Sequence, residues 1–218
     1  VDVELPPPLR ASAKSDVFLS FGGTLVQVAD IAHSGGLATG SGYDAGADIA
    51  LPLDARGDYE VVVVTDATRV LDDASFTDNT AQTGLTIQLA PHADLVVSAV
   101  QAPATLIADP ATLAVSWTVT NNGTGAGDST DWVDRIVLSS DDTVGNGDDI
   151  VLGTVRHDGA LAVGASYQGD FSTLLPPAFT GRYKLFVITD ATHQVFQDGA
   201  TANDVAKVDH TVDIMPKA

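Results

Sequence analysis

Apolar and polar residues alternate along much of the second half of the chain. Leu113, Val115, Trp117 and Val119 interleave with Ala114, Ser116, Thr118 and Thr120, the period of a strand with one buried and one wet face. Asn121-Asn122-Gly123 then supplies turn chemistry. Further strands are predicted at 94–100, 132–139, 150–155, 167–174, 183–189 and 206–214. About seven strands at turn-punctuated spacing predict an antiparallel β-sandwich of immunoglobulin-like type. Tyr59 and Tyr183 each follow a Gly at the start of an apolar strand, the tyrosine-corner position of such sandwiches. The chain has no cysteine, so the inter-sheet disulfide is missing and Trp117 is expected to pack in its place.

Composition supports the same fold class. Only Glu4 and Glu60 are glutamates, and the other 27 acidic residues are aspartates. Asp is poor inside helices and strands but good at turns and caps, because its short carboxylate bonds nearby backbone N–H groups. With 20 Gly and 10 Pro, this is the make-up of strands joined by Asp-rich turns, an all-β protein.

An internal repeat covers most of the 218 residues. At an offset of 124, His33, Gly35, Leu37 and Ala38 fall on His157, Gly159, Leu161 and Ala162, and Tyr43 falls on Tyr167. Leu51-Pro52 falls on Leu175-Pro176, and Thr65-Asp66-Ala67-Thr68 on Thr189-Asp190-Ala191-Thr192. Across 31–68 the copies share 15 of 38 residues without a gap, too many for chance. With one inserted residue the match is expected to carry Ile87 onto Val212 and Leu89 onto Ile214. Upstream, Ser15-Asp16-Val17-Phe18-Leu19-Ser20 resembles Asp134-Arg135-Ile136-Val137-Leu138-Ser139. Two domains are predicted, 1–91 and 92–218, joined by a linker too short for free tumbling. The first lacks the two opening strands of the second and carries Pro6-Pro7-Pro8 there, which is expected to be extended and unpaired. The predicted architecture is two tandem immunoglobulin-like antiparallel sandwiches, the first truncated at its N-terminal strands.

Two blocks in the second copy carry a family resemblance. Val115-Ser116-Trp117-Thr118-Val119-Thr120-Asn121-Asn122-Gly123 and Asp131-Trp132-Val133-Asp134-Arg135-Ile136-Val137-Leu138-Ser139-Ser140 resemble the cell-adhesion-related domain of bacteria, CARDB. The likeness spans 93–214, and the first copy resembles its last two-thirds. The resemblance implies an immunoglobulin-like module of large secreted or surface-anchored bacterial proteins, commonly repetitive adhesins. It implies no catalytic residues and no uniform ligand.

Charge narrows the partners. Lys and Arg total 10 against 29 acids, a formal charge of −19, which repels nucleic acid, polyphosphates and anionic membranes. Runs such as Val61-Val62-Val63-Val64 fall far short of the roughly 18 residues of a membrane span. The opening Val-Asp-Val-Glu has no initiating Met, basic segment or signal-type apolar run, so a soluble piece of a larger polypeptide is expected.

Chemistry is scarce. The loop 141–149 is the best candidate, because calcium takes six to eight hard oxygens and Asp141, Asp142, Asn146, Asp148 and Asp149 could offer them. Asn146 and Gly147 fit positions of an EF-hand loop, but Val144 and Gly153 stand where carboxylates are needed, so any calcium site is irregular and the competing expectation is a hairpin of tight turns. Asp128, Asp131 and Asp134 alternate faces on an extended chain, and Asp134-Arg135 is expected in a surface charge network. The repeated Asp66 and Asp190 are expected to hold their own turns, and Asn203-Asp204 to behave alike. His33, His92, His157, His193 and His210 show no metal-pair spacing. Trp132, Tyr43, Tyr167, Phe171 and Phe179 could form a sugar-stacking platform, although so few rings are better explained as core. No nucleophile elbow or phosphate-binding loop is present. The expected role is a non-catalytic stalk or spacer of an extracellular bacterial adhesin, stabilised by calcium, with neighbouring repeats and a surface glycan or protein as partners. The alternative is a carbohydrate- or protein-binding accessory module of a secreted hydrolase.

Overall fold

Period-two alternation is realised as strands throughout. The computed structural model describes residues 13–108, 110–177 and 179–216; the Pro6-Pro7-Pro8 segment lies outside the described residues. The chain divides into two units, Val1–Ala90 and Pro91–Ala218.

The described residues of the first unit contain β1 (Ala13–Phe21), β2 (Thr24–His33), β3 (Gly57–Val64) and β4 (Thr80–Ile87), an antiparallel sheet in the order β2-β1-β3-β4. Gly22 and Gly23 join β1 to β2 with φ of 56° and 83°, a pair of left-handed positions that suits the twist of a two-residue hairpin. Ser15, Val17 and Leu19 are buried on one face of β1.

The second unit contains β5 (Leu95–Gln101), β6 (Thr105–Ala108), β7 (Ala111–Asn121), β8 (Asp131–Ser139), β9 (Ile150–Asp158), β10 (Ser166–Leu175), β11 (Gly181–Ile188), β12 (Val205–Lys207) and β13 (Val212–Pro216). One sheet runs β10-β7-β5; the other runs β6-β13-β11-β8-β9, with β12 also on β11. Leu113, Val115, Trp117 and Val119 of the first sheet meet Trp132, Ile136, Leu138, Leu185, Val187 and Val212 of the second in one core. Burying each such side chain contributes roughly 1.5–3 kcal/mol. This is an immunoglobulin-like sandwich, and Trp117 is fully enclosed within it. Gly169 stands directly opposite Trp117 in the β10–β7 ladder, where a Cβ would strike the indole. The Tyr183 hydroxyl donates to the Thr180 carbonyl at 3.0 Å, the back-bond of a tyrosine corner.

Two features depart from the strand pattern expected of the sequence. Residues 206–214 do not form one strand: a bend at Asp209 and His210 divides them into β12 and β13. In consequence Leu85, opposite Tyr59, corresponds to Val212, opposite Tyr183, and Ile87 corresponds to Ile214. The single-insertion alignment of Ile87 with Val212 is thus displaced by the two extra residues of the bend. Secondly, β6 pairs in parallel with β13. After β5 the chain passes to the other sheet, so β6 meets β13 running the same way.

The units share their turns. The Asp66 carboxylate accepts the amides of Val70 and Leu71 at 2.9 and 3.0 Å, and that of Asp190 accepts those of Gln194 and Val195 at 2.7 and 3.0 Å. Both aspartates adopt φ of 43°, a left-handed conformation that a short polar side chain bonded to its own backbone tolerates. The expected turn-holding role is what the structure shows.

Gly169→Ala should destabilise the protein by about 2 kcal/mol or more, since the indole has nowhere to retreat. In Gly84→Ala, the new methyl meets open space and should be neutral or stabilising by about 0.5 kcal/mol. Urea unfolding of both variants checks the contrast.

Candidate functional site

The loop 140–149 closes the β8–β9 hairpin, and its carboxylates are turned mostly onto its own backbone and hydroxyls. Asp148 Oδ2 accepts the Ser140 amide at 2.9 Å and the hydroxyls of Ser140 and Ser139. Asp141 accepts the Thr143 amide at 2.7 Å and the Asn146 side-chain amide at 3.2 Å. Asp149 Oδ2 accepts the amides of Gly145 and Asn146. Asp142 points away from these and pairs with Lys207 and, at 3.8 Å, Lys184. The Lys207 bond and the charge of both lysines hold the Asp142 carboxyl below its ordinary range; the Ser140 bond does the same for Asp148.

The five residues singled out for calcium therefore share a loop but not a common focus. Asp149 Oδ1 is buried without a hydrogen-bond partner, the one feature of the loop that invites a ligand. Among the described residues, no group of three or more His, Asp or Glu is arranged to hold a metal ion. As they stand, the residues do not fit a calcium cage. The Asx-type bonds instead match the competing expectation of tight turns.

Beside this loop, Arg135, Val137, Asn146, Asp149, Val151 and His193 line a shallow depression of about 470 Å³. Arg135 there donates to the Ala191 carbonyl at 3.3 Å.

The polar residues that matter most lie inside. Asp134 is buried, contrary to the expectation of a surface charge network. It follows Trp132 and precedes Ile136 on the inward face of β8. Its Oδ2 accepts Trp117 Nε1 at 2.7 Å and the Tyr167 hydroxyl at 2.8 Å; its Oδ1 accepts the Thr189 hydroxyl at 2.7 Å. Trp132 Nε1 donates to Tyr167 Oη at 3.0 Å, and His157 stacks on the Tyr167 ring at 4.0 Å. Burial raises the Asp134 carboxyl, while the three donors pull it back only in part; burial beside that carboxylate raises the Tyr167 phenol as well. Asp131 pairs instead with Arg156, and Asp128 accepts the Phe196 amide, so the three spaced aspartates do not converge.

A second buried group ties a loop to β5. Gln197 accepts the Leu95 amide at 2.7 Å and donates to Asp204 Oδ2 at 2.9 Å, while Asn203 donates to Asp94 at 2.7 Å. Asn203 and Asp204 thus brace the sandwich, a role beyond the expected local turn. Asp204 Oδ1 finds no donor among the described residues. Burial, with the charges of Asp190 and Asp94 nearby, pushes the Asp204 carboxyl up to about 7.

The aromatic platform does not form. Trp132 is buried, Tyr167 is bonded to Asp134, and Phe171 and Phe179 pack on the core; Tyr43 belongs to the first unit, stacked on His33.

No protein-family model and no curated protein matches the chain. Among solved structures it is similar to a crystal structure of the CARDB domain of a Pyrococcus furiosus protein in complex with di-metal ions, with 17% identity and a TM-score of 0.43, over 58% of this chain and 96% of that one. A solution NMR structure of that domain gives 18% identity and a TM-score of 0.41, over 58% and 98%. β-Glucosidase 3B from Thermotoga neapolitana in complex with glucose gives 14% identity and a TM-score of 0.37, over 61% of this chain and 17% of the enzyme.

Asp134→Ala strands three buried donors and should cost about 3 kcal/mol or more; Asp134→Asn, which keeps one acceptor oxygen, should fall between it and the parent in urea midpoint. Asp204 generates a pH signature. Its folded pKa lies above the unfolded value near 4, so its contribution is fully present below that value and lost as pH rises towards 7. The melting temperature should fall between pH 5 and pH 7.5, and Asp204→Asn should flatten that slope by roughly 4 °C.

Proposed function

We propose that this chain is a non-catalytic structural and adhesive repeat module, a spacer in a secreted or surface-anchored bacterial protein. The observation that carries this reading is where the chemically capable residues are used. Asp134, Tyr167, Trp117 and Thr189 bond one another across the core, Asp66 and Asp190 bond their own turns, and Gln197 with Asp204 braces β5. Each is committed to architecture. The resemblance of 93–214 to CARDB supports the same role, as does the Asp-rich composition with its formal charge of −19, which keeps a repetitive extracellular protein soluble.

Calcium belongs to this reading as a ligand that remodels the loop: Asp142 would have to leave Lys207, and Asp148 would have to leave Ser140. A calcium titration should then raise the melting temperature by several degrees through binding to the folded state, and Asp149→Asn should abolish the rise. A flat titration removes calcium and leaves the spacer role.

The depression beside Arg135, Asn146 and Asp149 favours one second reading, a glycan-binding accessory module. It offers hydrogen-bond donors and acceptors beside apolar Val137 and Val151. For a spacer, a glycan array probed with the chain should show no signal above that of an Arg135→Ala, Asn146→Ala variant. Retention lost in that variant would overturn the spacer in favour of the accessory module.

A further inference from the structure

We propose that Asn146-Gly147, in the loop between β8 and β9, is a self-modification site at which the chain converts Asn146 to aspartate and isoaspartate without an enzyme. An asparagine followed by glycine can be attacked at its side-chain carbonyl carbon by the next backbone nitrogen, because a residue without Cβ leaves that nitrogen open. The chain has two such pairs, Asn122-Gly123 and Asn146-Gly147, and the fold treats them oppositely.

Gly123 is closed to this reaction. Its amide donates to Asn121 Oδ1 at 2.9 Å, and the flanking Asn122 and Thr124 amides donate to the carbonyls of Asp94 and His92 at 2.7 and 2.8 Å. A Cβ on Gly123 would strike the backbone of His92, Ala93 and Asp94, so the main chain there has no room to swing into a five-membered ring. Gly147 is the reverse. Asn146 and Gly147 are both exposed, and a Cβ on Gly147 would meet open space. Among the described residues no group accepts the Gly147 amide, so its nitrogen gives up no hydrogen bond when it attacks.

Asn146 is also held in the pose that the attack needs. Its Oδ1 accepts the Asp148 amide at 3.4 Å, an Asx turn, which folds Cγ forward over the Gly147 nitrogen. Its Nδ2 donates to Asp141 Oδ2 at 3.2 Å, which keeps the side-chain amide that way round. In the reaction the Gly147 nitrogen bonds to Cγ and its proton passes through solvent to Nδ2. Charge developing on Oδ1 meets the Asp148 amide already aimed at it. The Cγ–Nδ2 bond then breaks, and ammonia leaves a succinimide ring. Water opens the ring at Cγ to give aspartate, or at the Asn146 main-chain carbonyl to give isoaspartate, with nothing oxidised or reduced. Either product puts a carboxylate where Asn146 donated to Asp141, and isoaspartate lengthens the main chain of the turn by one carbon. The loop thereby loses a bond and gains a repulsion.

The test holds the full chain at mildly alkaline pH and follows it by tryptic mapping. Cleavage after Arg135 and Arg156 releases 136–156, in which Asn146 is the only side-chain amide, while Asn122 falls in 70–135. Conversion is read as the mass gained when –NH2 becomes –OH, and as methyl groups accepted from an isoaspartyl methyltransferase. In the folded chain it should run at least about tenfold faster at Asn146 than at Asn122, where a hydrogen bond must first be broken. In urea, where neither pair is held, the two rates should converge. Gly147→Ala should slow conversion of Asn146 severalfold with the melting temperature unchanged, because φ at Gly147 is not positive and the methyl meets open space. Equal rates at the two sites in the folded chain overturn the proposal. So does a contrast that survives in urea, or a rate at Asn146 that Gly147→Ala leaves unchanged.

Discussion

A carboxylate withdrawn from water must be compensated by donors, or it will protonate or drag water in behind it. Asp134 finds its donors on three other strands or strand ends: Trp117 on β7, Tyr167 on β10 and Thr189 just beyond β11. Two of these lie on the opposing sheet. The apolar core would tolerate some sliding of one sheet over the other, because burial is not directional. Three short bonds to one carboxylate do not. They fix the spacing and register of the layers, and the Gly169 gap opposite Trp117 is what lets the indole reach its acceptor.

Much of this fold was legible in sequence because period two and turn residues are local signals. The alternation from Leu113 to Val119 became β7, and the repeated Thr-Asp-Ala-Thr became a matching turn in each unit. Asp134 was readable too, since it shares its parity with Trp132, Ile136 and Leu138; its charge argued for the surface, and the alternation was the better guide. The bracing by Gln197 and Asn203 was not readable, because their partners, Leu95 and Asp94, are about a hundred residues away and nothing local announces the pairing. The division of β12 from β13 and the parallel partnership of β6 likewise depend on which sheet edge is vacant, a property of the assembled sandwich. In the loop 141–149 the composition suited calcium, but hydrogen bonds to neighbouring amides suit Asp equally well, and composition alone does not separate the two uses.

The contrast between the units shows how strongly a strand depends on its partner. Residues 42–51 and 166–175 share Tyr and Leu at matching positions, yet only the second stretch is a strand. An isolated extended segment leaves its backbone groups to water and gains little; pairing with β7 satisfies them and buries Tyr167, Phe171 and Leu175 together.

The parallel contact of β6 with β13 has a mechanical meaning. Strands that run side by side in the same direction, when drawn apart from the leading end of one and the trailing end of the other, slide lengthwise, so every rung of their ladder is strained at once. An antiparallel hairpin opened from its free end yields one rung at a time. Tension entering through the segment before β6 and leaving beyond β13 would meet the first kind of resistance.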